Sequence, residues 1–207
     1  MNQQEERHPD SRERILDAAL EEFGVWGFEG ASTNRVCRQA EISKGLLFHY
    51  YRTKLQLFSE VLDRCICDLE AAEAMQGPFD ESCRKQLLFF IAHPFHHRIL
   101  TDLIRGEAAD ERVAALRERV LQLKRRQMET FLAGRVLRSD TDPKIAEELL
   151  LAAADHLQEK YLNVIRRRSD EKAELAASFC RENRQVLAML LNGIAVPVCS
   201  VNGGTEC

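Results

Sequence analysis

The chain has 207 residues, of which 45% are hydrophobic and 30% charged, and its formal net charge is −4. This composition is typical of a soluble globular protein, and the negative total excludes a protein that binds polyanions through its overall charge. No apolar run approaches the roughly 20 residues of a membrane-spanning helix, and the polar N-terminus lacks the apolar core of a signal peptide. We therefore expect a cytoplasmic protein without a membrane partner.

The first predicted helix begins at Asp10 or Ser11, because Asp10 and Glu13 have the spacing of a capping box. A glycine-rich stretch, Gly24 to Gly30, is expected to end it. The apolar residues of this helix recur every three or four positions: Ile15, Leu16, Ala19, Leu20 and Phe23.

Two short helices are predicted next, at about 33–40 and 44–51, with a turn of about three residues between them. Ser32 and Ser43 precede the two segments, where a hydroxyl can accept a hydrogen bond from a free backbone N–H group. Both are therefore predicted N-caps.

A long fourth helix is predicted to open at Thr53 and Gln56, which form a second capping box. Gly77-Pro78 then breaks the chain. Five further helices are predicted, at about 80–92, 94–104, 111–137, 143–167 and 170–194. No segment shows the clear period-two alternation of a strand, so the predicted fold is all-α with about nine helices.

The two short helices have the spacing of a helix-turn-helix, in which the second helix enters the DNA major groove. Leu47 and Tyr51 lie four residues apart, share a face and are expected to pack inward. Neighbouring residues on a helix point about 100° apart. This leaves Phe48, His49 and Tyr50 on the flanks and the outer face.

The local charge supports DNA binding. Between residues 35 and 54 there are five basic residues and one acid, a net charge of +4, and a concentrated patch is what attraction to phosphates requires. The alternative is an ordinary helical hairpin whose aromatic rings fill a core, and the pattern alone leaves it open.

The segment "STNRVCRQAEISKGLLFHYYRTKLQLF", residues 32–58, resembles the DNA-binding motif of the tetracycline-repressor (TetR) family of transcriptional regulators. That motif has a capped second helix, a small-residue turn, Ser-Lys-Gly, a helix rich in Leu, Tyr and Phe, and a lysine before a long linking helix. The matching residues are Ser32, Thr33, Ser43, Lys44, Gly45, Leu47, Phe48, Tyr50, Tyr51 and Lys54. The resemblance covers about residues 10–75.

The resemblance, with the break at Gly77-Pro78, implies a domain order. The expected parts are a flexible N-terminus (1–9), a three-helix DNA-binding domain (10–54), a linking helix (55–76), a helical effector-binding and dimerisation domain (77–195) and a flexible tail (196–207). The implied function is a sequence-specific transcriptional regulator, most often a repressor. Its partners would be double-stranded operator DNA, a second copy of the chain and a small-molecule effector.

The resemblance also implies which residues face DNA. Thr33, Tyr50 and Lys54 would mainly hold phosphates, and Lys44, Leu46 and His49 are candidates for reading bases. The complete expected set is Thr33, Asn34, Ser43, Lys44, Gly45, Leu46, Phe48, His49, Tyr50 and Lys54.

Three residues depart from the family pattern. Glu41 stands where glycine is frequent, and a left-handed backbone conformation there costs a non-glycine residue about 1–2 kcal/mol. Phe48 replaces a tyrosine and lacks its hydroxyl. Leu46 replaces a threonine or small residue. The effect of these departures on DNA affinity and sequence preference is left open.

The predicted second domain has two candidate sites. An effector pocket would be lined by Phe89, Phe90, Phe95, Leu103, Leu123, Met128 and Phe131, although residues of these types more often belong to a plain core. A dimer interface would use apolar stripes on the last two helices, including Leu149, Ala153, Leu157, Val164, Phe179, Val186 and Leu190. The stripes alone also fit an intramolecular core, but a two-fold DNA site favours a homodimer.

Other functions have weaker support. Pro94 separates His93 from the helix that carries His96 and His97, and none of the seven cysteines forms a C-x-x-C pair, so neither a metal nor a cofactor is expected. No catalytic motif stands out, which argues against an all-α enzyme. An interaction protein with the same fold and weak DNA binding remains an alternative, suggested by Glu41 and Phe48.

Overall fold

The computed structural model describes residues 9–73 and 78–196. This part of the chain contains helices α1 Pro9–Gly30, α2 Thr33–Gln39, α3 Lys44–Tyr50, α4 Lys54–Glu73, α5 Phe79–Ala92, α6 Pro94–Arg105, α7 Glu111–Leu132, α8 Pro143–Arg167 and α9 Lys172–Ile194. The all-α prediction is confirmed. The expected flexible termini and the break at Gly77 fall largely or wholly on residues outside those described.

Two short strands, β1 Val136–Leu137 and β2 Ala195–Val196, pair in an antiparallel ladder. A two-residue strand is too short to show period-two alternation, so the sequence pattern did not reveal it. The prediction that the seventh helix reaches residue 137 is wrong. α7 ends at Leu132 because Gly134 adopts a left-handed conformation with φ of 76°, which turns the chain out of the helix.

The first helix ends within the predicted glycine-rich stretch. α1 continues through Gly24 to Gly30, but it is kinked at Gly27, whose φ of 68° and ψ of 178° are not helical. Gly24 has a packing role, because a Cβ atom there would lie 2.5 Å from the ring of Phe95 on α6. Glycine therefore permits a close approach of α6 to α1.

The described residues form two compact units. The N-terminal unit contains residues 9–73 and 89–123, and the C-terminal unit contains residues 78–88 and 124–196. Helices α5 and α7 each have residues in both. In the N-terminal unit α1 packs against α2, α4 and α6. Its core residues are at most 2% exposed and include Ile15, Ala19, Phe23, Val61, Leu62, Cys65 and Ile66.

The C-terminal unit is built on the hairpin of α8 and α9. Leu150, Leu162 and Ile165 on α8 and Leu187 on α9 are at most 1% exposed. The Tyr161 hydroxyl donates a hydrogen bond to the Glu182 carboxylate at 2.7 Å, which ties the two helices together. Burial and this bond raise the pKa of Tyr161 to about 12.

No helix in the described ranges is both long enough and apolar enough to cross a bilayer.

His96 is a buried titratable group in the N-terminal unit. It is 4% exposed, and its Nε2 lies 3.0 Å from a carboxylate oxygen of Asp68 on α4. Burial lowers the pKa of His96 below its ordinary value, and the bond to Asp68 opposes this only in part. The imidazole is therefore mostly neutral in the folded protein near neutral pH.

We expect this histidine to make stability fall in mild acid. The unfolded chain binds a proton at a higher pH than the folded one, so the stabilising contribution is complete above about pH 6.5 and is lost as pH falls below it. Urea unfolding would measure the free energy of unfolding of the wild type and of His96→Gln. Between pH 8 and pH 5.5 this free energy should depend less on pH in the variant than in the wild type.

Glu60 and Glu182 have lowered pKa values, and their contributions are lost only at lower pH, in the range where carboxylates titrate. If the free energy of unfolding depended equally on pH in the two proteins between pH 8 and pH 5.5, the pKa of His96 would be the same in the folded and unfolded states, and the prediction would be wrong.

Candidate nucleic-acid interface

The turn between α2 and α3 has the geometry of a Schellman motif. The N–H of Glu41 donates to the carbonyl of Arg38 at 3.3 Å, and that of Ile42 donates to Cys37 at 3.0 Å. Glu41 takes the left-handed position with φ of 52°, the one non-glycine residue with positive φ among those described. The predicted left-handed conformation of Glu41 is confirmed, and glycine is the residue this position ordinarily favours.

The first turn of α3 is capped as predicted. Ser43 Oγ accepts a hydrogen bond from the N–H of Leu46 at 3.1 Å. At the predicted capping box of α4, the hydroxyl half is confirmed, because Gln56 N–H donates to Thr53 Oγ1 at 3.0 Å, but Gln56 Oε1 accepts from Arg52 N–H at 2.9 Å, one residue before the expected partner. Both ends of α3 are therefore fixed by local hydrogen bonds.

The inner face of α3 is the one predicted. Leu47 is 1% exposed and Tyr51, just after the helix, is 3% exposed. Arg12 Nε on α1 donates to the Tyr51 hydroxyl at 3.4 Å, and Arg12 Nη2 donates to Glu60 on α4 at 2.8 Å. Burial raises the pKa of Tyr51. The end of α3 is thus attached to both α1 and α4.

The outer face of α3 carries the remaining aromatic side chains. Phe48 is 40% exposed, His49 is exposed and Tyr50 is half-buried. The His49 and Tyr50 rings meet edge to face with centroids 5.7 Å apart, and the Lys44 ammonium lies 5.8 Å from the Phe48 ring centre. These rings face solvent and do not fill the core.

The ten residues expected to face DNA all retain exposed surface. The exposed members are Asn34, Ser43, Lys44, Gly45, Phe48 and His49, and the half-buried members are Thr33, Leu46, Tyr50 and Lys54. They lie on α2, on α3 with its N-cap Ser43, and at the first residue of α4. Their contacts with DNA remain predictions.

Lys54 has partners within the protein. Its ammonium donates to the carbonyls of Glu29 and Ala31, each at 3.2 Å, and lies 4.7 Å from the centre of the Phe28 ring. An ammonium has three donors, so two of them are engaged in holding the turn between α1 and α2. The predicted phosphate contact would use the third.

Ser32 is the N-cap residue of α2, as predicted, but the expected hydrogen bond to its hydroxyl group is missing. The N–H of Ser32 donates to the carboxylate of Glu22 at 2.7 Å. The same carboxylate accepts from Arg35 Nε at 2.8 Å. Sequence reasoning missed Glu22, although an acid beside Phe23, within the apolar stripe of the first helix, was a signal that it needed a partner.

The residues proposed for an effector pocket fall in both compact units. Phe89, Phe90, Phe95, Leu103 and Leu123 belong to the N-terminal unit, and Met128 and Phe131 to the C-terminal unit. Phe90, Leu103, Met128 and Phe131 are buried, whereas the other three are half-buried. A pocket formed by all seven remains a prediction.

The residues proposed for a dimer interface differ in exposure. Leu157 and Phe179 are 5% and 2% exposed within their own chain, so little of their surface is left for a partner. Leu149 is 45% exposed, and Ala153, Val164, Val186 and Leu190 are half-buried. Two apolar residues outside that set, Ile145 and Met189, are 66% and 65% exposed.

Comparison with known proteins identifies the N-terminal segment. A family model described as bacterial regulatory proteins of the tetR family matches residues 15–61. The HTH-type transcriptional repressor SCO4008 of Streptomyces coelicolor is 33% identical over 96 residues, or 45% of this chain and 50% of that protein. The uncharacterized HTH-type transcriptional regulator YhgD of Bacillus subtilis is 26% identical over 131 residues, or 61% of this chain and 68% of that protein.

Solved structures show that the fold extends beyond this segment. The crystal structure of a TetR family transcriptional regulator from Chloroflexus aurantiacus aligns with a TM-score of 0.70 at 19% identity, over 93% of this chain and 96% of that one. The alignment with SCO4008 spans half of that relative's length, and the family model covers the helix-turn-helix described above. Residues 15–61 therefore match the tetR family of bacterial regulatory proteins, and the fold of the chain is that of the solved TetR family regulator from Chloroflexus aurantiacus.

Proposed function

We propose that the protein is a sequence-specific DNA-binding transcriptional regulator of the cytoplasm, and that it acts as a repressor. The observation that carries the proposal is the division of α3 into a buried face, with Leu47 and Tyr51, and an exposed face, with Lys44, Phe48 and His49. A helix fixed in this way presents one defined set of side chains to a groove. The similar protein SCO4008 is named a transcriptional repressor, which supports repression over activation.

The exposed face offers both kinds of contact that operator recognition needs. Lysine and imidazole N–H groups can donate to base edges, and Leu46 and the Phe48 ring can contact thymine methyl groups. Thr33 and Tyr50 can donate to phosphates, which set the register on the duplex. In this scheme the exposed Lys44 reads bases.

Replacing Lys44 should therefore weaken operator binding selectively. We expect Lys44→Ala to lower affinity for DNA from beside the protein's own coding region by about 5–150-fold, equivalent to about 1–3 kcal/mol for one base contact. Affinity for unrelated DNA should fall less. Fluorescence anisotropy titrations at several salt concentrations would measure both affinities and their salt slopes.

Lys144→Ala is the matched control, because Lys144 is also an exposed lysine just after a capped helix start, on α8. It should bind both DNAs as the wild type does. Equally weak binding of operator and unrelated DNA by the wild type would contradict the proposed function and favour an interaction protein with the same fold.

The regulator is proposed to act as a homodimer. A two-fold operator needs two recognition helices about 34–36 Å apart or a multiple of this, which requires two chains. Exposed apolar side chains on α8 and α9, among them Leu149 and Met189, could be covered by a second copy. A charge placed among them would oppose association, because burying an unpaired charge is costly.

Met189→Glu should shift the protein from dimer to monomer and lower operator affinity by more than tenfold. Sedimentation equilibrium would give the mass, and the DNA titration would give the affinity. Val136→Glu is the control, since Val136 is 59% exposed but lies on β1. A dimeric Met189→Glu protein with unchanged affinity would exclude Met189 from the interface.

A small-molecule effector is proposed to modulate this binding. One feature of the C-terminal unit supports a ligand there. Asn183 is 1% exposed and donates to Cys83 Sγ at 3.4 Å, but its Oδ1 accepts no hydrogen bond among the described residues. A buried acceptor without a donor costs about 1–3 kcal/mol, and a ligand with a hydrogen-bond donor would remove that cost.

We expect a small molecule that raises the melting temperature of the wild type to weaken operator binding about 5–150-fold, the usual range of coupling between two sites. Asn183→Leu should reduce the thermal shift produced by that molecule, whereas Asn163→Leu, at an exposed position on α8, should not. Equal operator affinity with and without saturating ligand would contradict effector control.

A further inference from the structure

In the turn between α1 and α2, four successive residues each have a backbone group that is hydrogen-bonded to a side chain from elsewhere in the chain. The carbonyls of Glu29 and Ala31 accept from Lys54, and the carbonyl of Gly30 accepts from Arg35 Nη2 at 2.7 Å. The next N–H, that of Ser32, donates to Glu22. These side chains come from α1, α2 and α4. A turn held from three helices has little freedom to change its path.

Glu22 is the least exposed member of this group, at 5%. One carboxylate oxygen accepts from both Ser32 N–H and Arg35 Nε, at 2.7 and 2.8 Å, and the other lies 3.0 Å from the same Nε. The Arg35 side chain is 38% exposed, and an ion pair with one partly exposed partner contributes little to net stability. Its clear structural effect here is to set the geometry of the turn.

Arg35 is directed towards the protein. Its guanidinium bonds to Glu22 and to the Gly30 carbonyl, and lies 4.9 Å from the centre of the Trp26 ring. The bond to Glu22 raises the pKa of Arg35. Arg35 is one of the basic residues that gave the segment its positive charge, but its charge is balanced by a carboxylate 13 positions earlier in the chain.

We propose that Glu22 is a positioning residue for operator recognition. Through Ser32 N–H and Arg35 it fixes the first turn of α2, where Thr33 and Asn34 are the residues expected to contact DNA. This inference rests on the proposed function. It differs from a purely structural role because it concerns the fit to one DNA sequence, not the fraction of protein that is folded.

Glu22→Leu tests the proposal by removing both bonds while filling the site with an apolar side chain. Operator affinity, corrected for the folded fraction from thermal melting, should fall about tenfold relative to affinity for unrelated DNA. The released Arg35 adds a cation near the DNA, so affinity for unrelated DNA should not fall. Glu22→Gln should recover about half of the lost preference on a logarithmic scale, because its amide oxygen still accepts from Ser32 N–H.

Glu21→Leu is the matched control. Glu21 is the exposed neighbour on α1 and accepts a hydrogen bond from Gln39 at the other end of α2, and its replacement should leave the preference unchanged. Trp26 is the single tryptophan of the chain and reports on Arg35 directly. Its emission should change in Glu22→Leu and remain unchanged in Glu21→Leu.

An unchanged operator preference in Glu22→Leu, with wild-type protein that does prefer its operator, would overturn the positioning role alone. Wild-type protein without any operator preference would overturn the proposed function, and the positioning role with it. If Glu22→Leu does not fold, Glu22→Gln is compared with Glu21→Gln. The ratio of affinities for operator and unrelated DNA should then be about threefold lower in Glu22→Gln. An unchanged preference in Glu22→Gln would then overturn the positioning role.

Discussion

The burial of Leu47 and Tyr51 is the constraint on which the candidate interface depends. α3 has seven residues, and a helix this short is not stable alone, because its few hydrogen bonds do not offset the cost of nucleation. Its existence and its rotation are therefore set by what it packs on. The Tyr51 hydroxyl also accepts a hydrogen bond from Arg12, which in turn donates to Glu60, so the orientation of the Tyr51 ring is fixed as well as its burial. Every exposed side chain on α3 takes its position from this buried pair.

Features decided by near neighbours could be predicted from the sequence. The cap at Ser43, the hydroxyl cap of Thr53 on Gln56 N–H and the left-handed conformation of Glu41 each depend on residues within about five positions, and the structure has all three. The end of α7 also has a local cause, the positive φ of Gly134. The prediction missed it because apolar residues continue beyond this glycine and suggested a longer helix.

Features decided by distant residues could not be predicted in this way. Ser32 is the N-cap of α2, but its side chain makes no capping bond and its N–H is bonded to Glu22, ten positions earlier. The apolar stripes of α8 and α9 are a second example. Such a stripe predicts that a helix face is buried, but not whether a helix of the same chain or a helix of a partner covers it. Only the packed structure separates Leu157 and Phe179, which are buried within the chain, from Leu149, which is exposed.

The distribution of charge links these observations to recognition. Two of the five basic residues between positions 35 and 54 are engaged with the protein, Arg35 with Glu22 and Lys54 with the carbonyls of Glu29 and Ala31. The others, Arg38, Lys44 and Arg52, are exposed, and so is the acid Glu41. A site with few exposed cations gains little affinity from phosphates in general. Under the proposed function, discrimination between DNA sequences would come from the placement of individual side chains, and the bonds fixing the turns around α2 and α3 would matter more to it than the total charge.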